Sequence, residues 1–202
     1  MSIQYWNESI ETADPADLKK TQLENLKTTV DHALRTDFYK KRLSGAGINS
    51  GEDIRSLDDI QKIPYTTKDD LRSAYPYGLL SVDLDEVVRV HVSSGTTGVP
   101  TVIYHTAEDL NNWTELSARS VVATGASRKD VFQNMMTYGL FTGGLGLHYG
   151  AERVGMLVIP ASSGNTQRQL KLMKDFQTTA VHATPSYMLH LHARLQDGDI
   201  IL

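Results

Sequence analysis

Cysteine, basic tracts and long apolar runs are all missing from this sequence of 202 residues. Without cysteine, a disulfide framework, a thiolate metal site and a cysteine nucleophile are excluded. No apolar run approaches the ~18 residues of a membrane-spanning helix, and the acidic N-terminus lacks the apolar segment of a secretory signal. The net charge of −4 gives no reason to expect binding to nucleic acid or to an anionic membrane. We therefore expect a cytoplasmic protein with no nucleic-acid partner and no membrane partner.

The composition is otherwise that of a folded protein, with 40% apolar and 22% charged residues. In the first part of the chain, Asp14 and Pro15 form a helix entry, because an N-cap side chain precedes a ring already set to helical φ. A second short helix is predicted to begin at Thr67, which resembles the start of a capping box. An apolar stripe at steps of three and four predicts one helix that ends before Gly45; its members are Leu23, Leu26, Val30, Leu34 and Phe38.

From residue 85 onward, apolar β-type runs alternate with longer amphipathic stretches. EVVRVHVS and TVIYHT flank a glycine-rich loop, and the runs DVFQNMM, MLVIPA and TTAVHATP start near residues 130, 156 and 178. The stretches between the last three, GGLGLHYGAERVG and NTQRQLKLMKDF, are each long enough for a crossover helix. The pattern predicts an α/β fold, in which a helical N-terminal region (residues 1–84) precedes a largely parallel sheet with crossover helices (residues 85–202).

The loop SSGTTG at residues 93–98 contains four hydroxyl residues and two glycines. Such a density of small polar groups suits phosphate, because glycine lets backbone N–H groups turn towards a ligand and short hydroxyls add donors. Neither a Walker A loop nor a Rossmann fingerprint is present, and a strand rather than a helix is expected to follow. An ordinary turn between two strands stays open as the alternative interpretation.

A second candidate site is the aromatic and glycine-rich segment TYGLFTGGLGLHYGAERVG, which follows a β-type run. In open parallel sheets, ligands bind where strands end in this way. Tyr138 and Phe141 would supply aromatic walls, and glycines such as Gly143 and Gly144 would clear space for a flat ligand. The alternative is that the glycines only permit close packing of a helix on the sheet and that Phe141 belongs to the core.

Six segments, in chain order, resemble the adenylate-forming enzymes and among them the phenylacetate-CoA ligase family: RLSGAGI, IPYTTKDDLR, YPYGLL, RVHVSSGTTGVPTV, YGLFTGGLGLHYGAERVG and TPSYML. The resemblance implies that the chain is part of the large N-terminal domain of an ATP-dependent aryl-acid CoA ligase. Such a ligase first forms an acyl-adenylate and pyrophosphate, and then transfers the acyl group to coenzyme A. The substrate would be a small aryl acid, with ATP, Mg²⁺ and coenzyme A as co-substrates.

The resemblance also assigns roles to particular residues. The loop that holds the β- and γ-phosphates of ATP is matched by Ser93, Ser94, Gly95, Thr96, Thr97 and Gly98. Tyr138 matches a gate between the ATP side and the thiol tunnel, and Phe141 matches a wall of the aryl pocket, in which Gly143 and Gly144 also lie. Met136 stands where phenylacetate ligases often have a second aromatic residue, which leaves open an aryl or arylalkyl acid of a different shape.

Two positions beside the loop depart from the wider superfamily. Val99 and Thr101 stand where lysine is common, so backbone and hydroxyl donors must carry more of the phosphate binding. No metal site is predicted, because His190 and His192 are two residues apart and lie on different faces of a helix. The segment HYGAE at residues 148–152 is interpreted as a structural part of a helix.

The chain ends in DGDIIL, which resembles the start of another strand, so we expect it to be truncated. By the resemblance, the catalytic residues lie beyond this end and cannot be named, and the chain alone is expected to be inactive. Two other functions stay open: a non-catalytic remnant that binds nucleotide or acid and associates with a full-length homologue, and an adenylating enzyme whose acceptor is a carrier protein. A homodimer is a further open assembly state.

Overall fold

The computed structural model describes residues 4–93, 98–140 and 142–196. The chain forms two compact units: a first unit of Glu8–Ala107, and a second unit of Met1–Asn7 with Glu108–Leu202. The boundary between the two units differs from the position near residue 85 where helical segments give way to alternating β-type runs and amphipathic stretches. A strand hairpin therefore groups with the helices that precede it, and the functional division into residues 1–84 and 85–202 stays a prediction.

The helices of the first unit are α1 (Glu8–Glu11), α2 (Pro15–Ala33), α3 (Asp37–Gly45) and α4 (Lys68–Ser73), with 3₁₀ turns at Gly51–Asp53, Leu57–Lys62 and Leu84–Glu86. Helices α2 and α4 start where the sequence predicts. Asp14 caps α2, since its carboxylate accepts a hydrogen bond from the Ala16 N–H at 2.7 Å. The capping box at α4 is confirmed as well, because the backbone N–H groups of Thr67 and Asp70 each donate to the side chain of the other.

The apolar stripe at residues 23–38 spans two helices, so the prediction of a single helix is wrong. Helix α2 ends at Ala33, and Thr36 becomes the N-cap of α3 by accepting a hydrogen bond from the Tyr39 N–H at 3.3 Å. A threonine hydroxyl competes for backbone groups in this way, which favours a helix start over a helix interior. Both helices still contribute to one core, whose buried members are Val30, Leu43, Ile48 and Ile54.

The first unit ends in an antiparallel hairpin of β1 (Val87–Val92) and β2 (Val102–Thr106). Val92 pairs with Val102 and Val90 pairs with Tyr104, so the glycine-rich loop connects two adjacent strands. The prediction that a strand follows this loop is confirmed.

The second unit is a three-stranded parallel sheet with helices. Its elements are α5 (Ala107–Ala123), β3 (Val131–Asn134), α6 (Gly143–Val154), β4 (Leu157–Ile159), α7 (Thr166–Asp175), β5 (Ala180–His182) and α8 (Pro185–Gln196). The strand order is β4-β3-β5, with Phe132 paired to Val158 on one side and to Ala180 on the other. The parallel sheet and its two crossover helices, α6 and α7, are as predicted.

Helices cover both faces of this sheet, because successive side chains of a strand point to opposite faces. On one face, Phe132 and Ala180 pack with Val121 of α5 and Ala151 of α6. On the other face, Val181 packs with helices α7 and α8, through Leu170 and Leu191. The two crossovers run in opposite directions across the sheet and lie on opposite faces, so they have the same hand, as expected for parallel sheets.

Helix α6 packs closely on α5 at two glycines. A Cβ atom on Gly150 would lie 2.6 Å from the Cβ of Ser117 and 2.7 Å from the backbone carbon of the same residue. A Cβ on Gly146 would lie 2.6 Å from the ring of Trp113. Neither contact is sterically allowed, so both glycines are required by the close approach of the two helices.

We expect Gly150→Ala to lower the free energy of unfolding by about 1–3 kcal/mol, because the added methyl group forces α5 and α6 apart. Gly45→Ala is the matched control, since a Cβ there would meet no atom within 4 Å, and alanine is the better helix former. Urea denaturation followed by circular dichroism measures both variants. Equal unfolding midpoints for the two would contradict the close helix contact.

Candidate functional site

The glycine-rich loop is closed at its base by Ser93 and Thr101. The Ser93 N–H donates to the Thr101 carbonyl at 2.9 Å, and the Thr101 N–H donates to Oγ of Ser93 at 2.9 Å. Thr101, which stands where lysine is common in the superfamily, thus contributes its backbone to the closure. Gly98 has a φ of +116°, a value that favours glycine.

Four of the six predicted phosphate-binding residues lie outside the described residues; they are Ser94, Gly95, Thr96 and Thr97. The structure therefore places the two ends of the loop, Ser93 and Gly98, and the phosphate-binding role stays a prediction. The bond from Thr101 uses a lone pair of the Ser93 oxygen, so the Ser93 hydroxyl proton can still be donated elsewhere.

The predicted acid-binding residues follow the central strand of the parallel sheet. From β3 the chain crosses to β4 on one side, then passes back to β5 on the other side, which makes β3 a topological switch point. In open α/β sheets, ligands bind outside the carboxyl ends of strands at such a point. Met136 and Tyr138 lie in the connection from β3 into α6, and Gly143 and Gly144 are the first two residues of α6. Phe141 lies outside the described residues.

The amide of Asn134, the last residue of β3, is fully buried and joins three segments. Its Nδ2 donates to the carbonyl of Gly144 at 2.7 Å, and its Oδ1 accepts from the N–H of Met136 at 3.1 Å. The same Oδ1 lies 3.1 Å from Nδ1 of His182. Only one orientation of the amide satisfies all three partners, because the oxygen accepts and the nitrogen donates.

His182, the last residue of β5, is fixed by that amide. Because Oδ1 of Asn134 only accepts, Nδ1 of His182 carries the proton, and Nε2 is unprotonated in the neutral ring. Burial lowers the pKa of His182, which favours this neutral form. The ring also stacks on Phe132 with 6.3 Å between centroids. The carboxyl ends of β3 and β5 are therefore joined through neutral side chains.

Gly144 permits the connection after β3 to lie directly on the first turn of α6. A Cβ at Gly144 would lie 2.5 Å from the carbonyl oxygen of Thr137. The space beside its Cα is thus filled by the protein itself, as the packing alternative expects. The contribution of Gly143 to the pocket stays a prediction.

Tyr138 is held by a chain of hydrogen bonds from α6. Its hydroxyl lies 3.0 Å from Nδ1 of His148, and Nε2 of that ring lies 3.1 Å from Oε1 of Glu152. Burial raises the pKa of the Tyr138 hydroxyl, so the group is protonated and can donate to Nδ1. The segment HYGAE is helical as predicted, but it also supplies the partners of Tyr138, which the sequence interpretation missed.

The connection after β4 is attached to the same edge of the sheet. The hydroxyl oxygens of Thr137 and Ser163 are 3.1 Å apart, and the Ser162 N–H donates to the carbonyl of Asn134 at 3.0 Å. Beneath this connection, the fully buried Gln169 donates to the Ser162 carbonyl at 2.6 Å. The two loops that border the candidate acid site therefore support each other.

Sequence reasoning missed Asn134, His182, His148 and Glu152 as members of this site. The signals for the first two are present in the sequence, because a polar residue inside an apolar β-type run must find a buried partner. For the other two, the signal is a histidine and a glutamate four residues apart on a predicted helix, which places them on one face.

No three side chains of histidine, cysteine, aspartate or glutamate form a metal-binding cluster within residues 4–93, 98–140 and 142–196. In the same part of the chain, no helix is both long and apolar enough to cross a membrane.

Comparison with curated proteins shows which enzymes the chain resembles. The chain is 47% identical to phenylacetate-coenzyme A ligase of Escherichia coli K12 over 188 residues. The match covers 93% of this chain and 43% of that enzyme. The ligase of Pseudomonas putida is also 47% identical, over 183 residues, 90% of this chain and 42% of the enzyme. The chain is similar to the N-terminal part of phenylacetate-CoA ligases over 90% or more of its own length. It spans less than half of the length of these ligases. No protein-family model matches it.

Solved structures agree with this relationship to CoA ligases. A crystal structure of 2-hydroxyisobutyryl-CoA ligase in complex with 2-HIB-AMP and CoA has a TM-score of 0.88 and 27% identity, covering 97% of this chain and 43% of that one. The same ligase in its postadenylation state with 2-HIB-AMP has a TM-score of 0.87 and 26% identity, and the match covers 97% of this chain and 42% of that one. The predicted fold class, part of the large domain of an adenylate-forming enzyme, is confirmed.

We expect Asn134→Ala to lower the free energy of unfolding of this chain by about 2–4 kcal/mol, because the buried Gly144 carbonyl and the half-buried Met136 N–H and His182 ring lose their hydrogen bonds. The exposed Asn25→Ala on α2 is the control and should change stability by less than ~0.5 kcal/mol. Urea unfolding of both variants tests this expectation. An Asn134 variant as stable as the control would show that the amide does not hold the strand ends.

Proposed function

We propose that this chain is the phosphate- and acid-binding part of an ATP-dependent ligase that joins a phenylacetate-type acid to coenzyme A through an acyl-adenylate. The observation that carries the proposal is 47% identity to a phenylacetate-coenzyme A ligase over 93% of the chain. The structural similarity to a CoA ligase with 2-HIB-AMP and CoA bound supports an adenylate intermediate. The proposal places the ligase in the cytoplasm, where ATP and coenzyme A are available.

For the phosphates of ATP, we propose the loop from Ser93 to Gly98. Its backbone N–H groups and hydroxyls would donate to the non-bridging oxygens, and the Ser93–Thr101 bonds would hold the two ends of the loop together. Val99 is 48% exposed and carries no charge, so neutral donors rather than a lysine at this position would bind the phosphates.

For the acid, we propose the carboxyl edge of the sheet β4-β3-β5. Met136 and Tyr138 would contact a flat apolar tail there, together with Phe141. Gly143 would leave room beside that tail, and Gly144 would shape the pocket by letting the connection lie on α6. Because a methionine side chain adapts its shape, we include arylalkyl acids other than phenylacetate in the substrate class.

In the proposed reaction, a carboxylate oxygen of the acid attacks the α-phosphorus of ATP, and the bond from that phosphorus to pyrophosphate breaks. The thiol of coenzyme A then loses its proton, its sulfur attacks the acyl carbon, and AMP leaves. Donors of the loop would stabilise the charge on the departing pyrophosphate. We assign no catalytic residue within the chain; the family resemblance implies that such residues lie in the part of the ligase beyond it.

Magnesium enters the proposal only as the ion that accompanies ATP. The described residues do not bring three ligating side chains together, and Mg²⁺ at nucleotide sites is commonly held by one or two carboxylates with substrate phosphates. Association with a second copy or with a full-length homologue stays a prediction.

The direct test is a full-length chimera in which this chain replaces the matching part of Escherichia coli phenylacetate-coenzyme A ligase. We expect the chimera to form AMP from ATP, phenylacetate and coenzyme A, while the 202-residue chain alone forms none, because the family resemblance implies that the catalytic residues lie in the rest of the ligase. Chromatographic measurement of AMP gives both rates. In the chimera, Ser93→Ala should raise the KM for ATP about fivefold, the equivalent of one hydrogen bond.

The control for that variant is Ser120→Ala, at an exposed position of α5, which should leave the KM for ATP unchanged. A folded chimera that forms no AMP with phenylacetate or a related arylalkyl acid would overturn the proposed function. Steady AMP formation by the isolated chain would overturn the assignment of the catalytic residues to the rest of the ligase.

A further inference from the structure

We propose that His148 and Glu152 are positioning residues that set the orientation of Tyr138 at the acid site. This inference rests on the proposed function, because Tyr138 matters to a ligand only if the carboxyl edge of the sheet binds one. The observation behind it is the hydrogen-bond chain from Glu152 through His148 to the Tyr138 hydroxyl, with distances of 3.1 and 3.0 Å.

Tyr138 lies in a segment that has no secondary structure of its own. Residues 137–140 are neither helix nor strand, and Thr137, Gly139 and Leu140 are exposed. The backbone before Tyr138 is attached by the bond of the Met136 N–H to Asn134. The far end of the Tyr138 ring is attached to α6 through His148. Attachment at both ends leaves the ring little freedom to rotate about its two side-chain torsions.

Glu152 determines which nitrogen of His148 can accept. A carboxylate only accepts hydrogen bonds, so Nε2 of His148 carries the proton and faces Glu152. In the neutral ring Nδ1 is then the unprotonated nitrogen, which accepts from the Tyr138 O–H. The His148 side chain is 16% exposed and Glu152 is 52% exposed, so the histidine is the shielded link between solvent-facing Glu152 and Tyr138.

This arrangement also defines what Tyr138 presents to a substrate. Its hydroxyl proton is donated to α6, so the ring rather than the hydroxyl donor faces an acid bound at the edge of the sheet. The site therefore favours an acid with an apolar aryl group over one with an acceptor substituent that needs the Tyr138 proton. His148 and Glu152 contribute to substrate specificity only through Tyr138 and contact no substrate themselves.

The first test uses the isolated chain and needs no ligase activity. Nitrogen-15 NMR of histidine-labelled protein should show His148 as the Nε2–H tautomer. Tyr138→Phe should shift the Nδ1 resonance of His148, while the ring resonances of the exposed His192 should not change. Tyr65→Phe, at a side chain that is 93% exposed, is the matched control and should leave His148 unchanged. A His148 ring that exchanges between tautomers, or that ignores Tyr138→Phe, would overturn the inference.

The second test uses the chimera of the ligase. Tyr138→Phe and His148→Leu should each raise the KM for the acid about fivefold, with kcat changed less, because each removes the same hydrogen bond. The double variant should be no worse than either single one, since both remove one shared interaction. His148→Asn should restore much of the affinity, because an amide oxygen can replace Nδ1 as the acceptor, and His192→Gln should behave as the unmodified chimera.

The two failures are distinguishable. If the unmodified chimera forms no AMP, the proposed function fails, whatever the NMR spectra show. If the chimera is active but His148→Leu has an unchanged KM for the acid, the positioning role is wrong and the proposed function stands. Additive effects of Tyr138→Phe and His148→Leu would likewise overturn the positioning role.

Discussion

The buried amide of Asn134 is the contact on which the candidate acid site depends. A polar group without solvent access must satisfy its donors and acceptors within the protein, and this one has partners on three segments. Those partners determine where the chain goes after β3: back over the strand end, down onto the first turn of α6 and beside the end of β5. The direction of the chain at the switch point is thus set by one side chain.

Helix α6 is the rigid support for the connection after Asn134. Glycine at three positions lets it lie against this connection and against α5, where any side chain would prevent contact. On this fixed helix, His148 and Glu152 reach the hydroxyl of Tyr138 from the side. A site whose side chains are held by a packed helix keeps its geometry better than one built on loops alone. The glycines that let α6 pack closely therefore also determine where the site residues lie.

Periodicity and local chemistry were enough to predict the parallel sheet, both crossover helices and the capped starts of α2 and α4. The single helix expected from the stripe at residues 23–38 failed, because periodicity does not register a hydroxyl such as that of Thr36, which ends one helix and begins another. The bonds of Asn134 to Gly144 and His182 could not be predicted, since they join residues 10 and 48 positions apart that only the topology brings together. Ser94, Gly95, Thr96, Thr97 and Phe141 lie outside the described residues, and their roles rest on the resemblance.

The central claim is that an aryl acid binds at the carboxyl edge of β3. The most direct measurement is the methionine-methyl carbon-13 NMR spectrum of the chimera with a non-hydrolysable phenylacetyl-adenylate analogue, with the Met136 signal assigned through Met136→Leu. We expect the methyl resonance of Met136 to shift in the ring current of the bound aryl group. The methyl resonance of Met156, which is buried between α6 and the sheet, should not shift. A Met136 resonance that does not move at saturating ligand would contradict the claim.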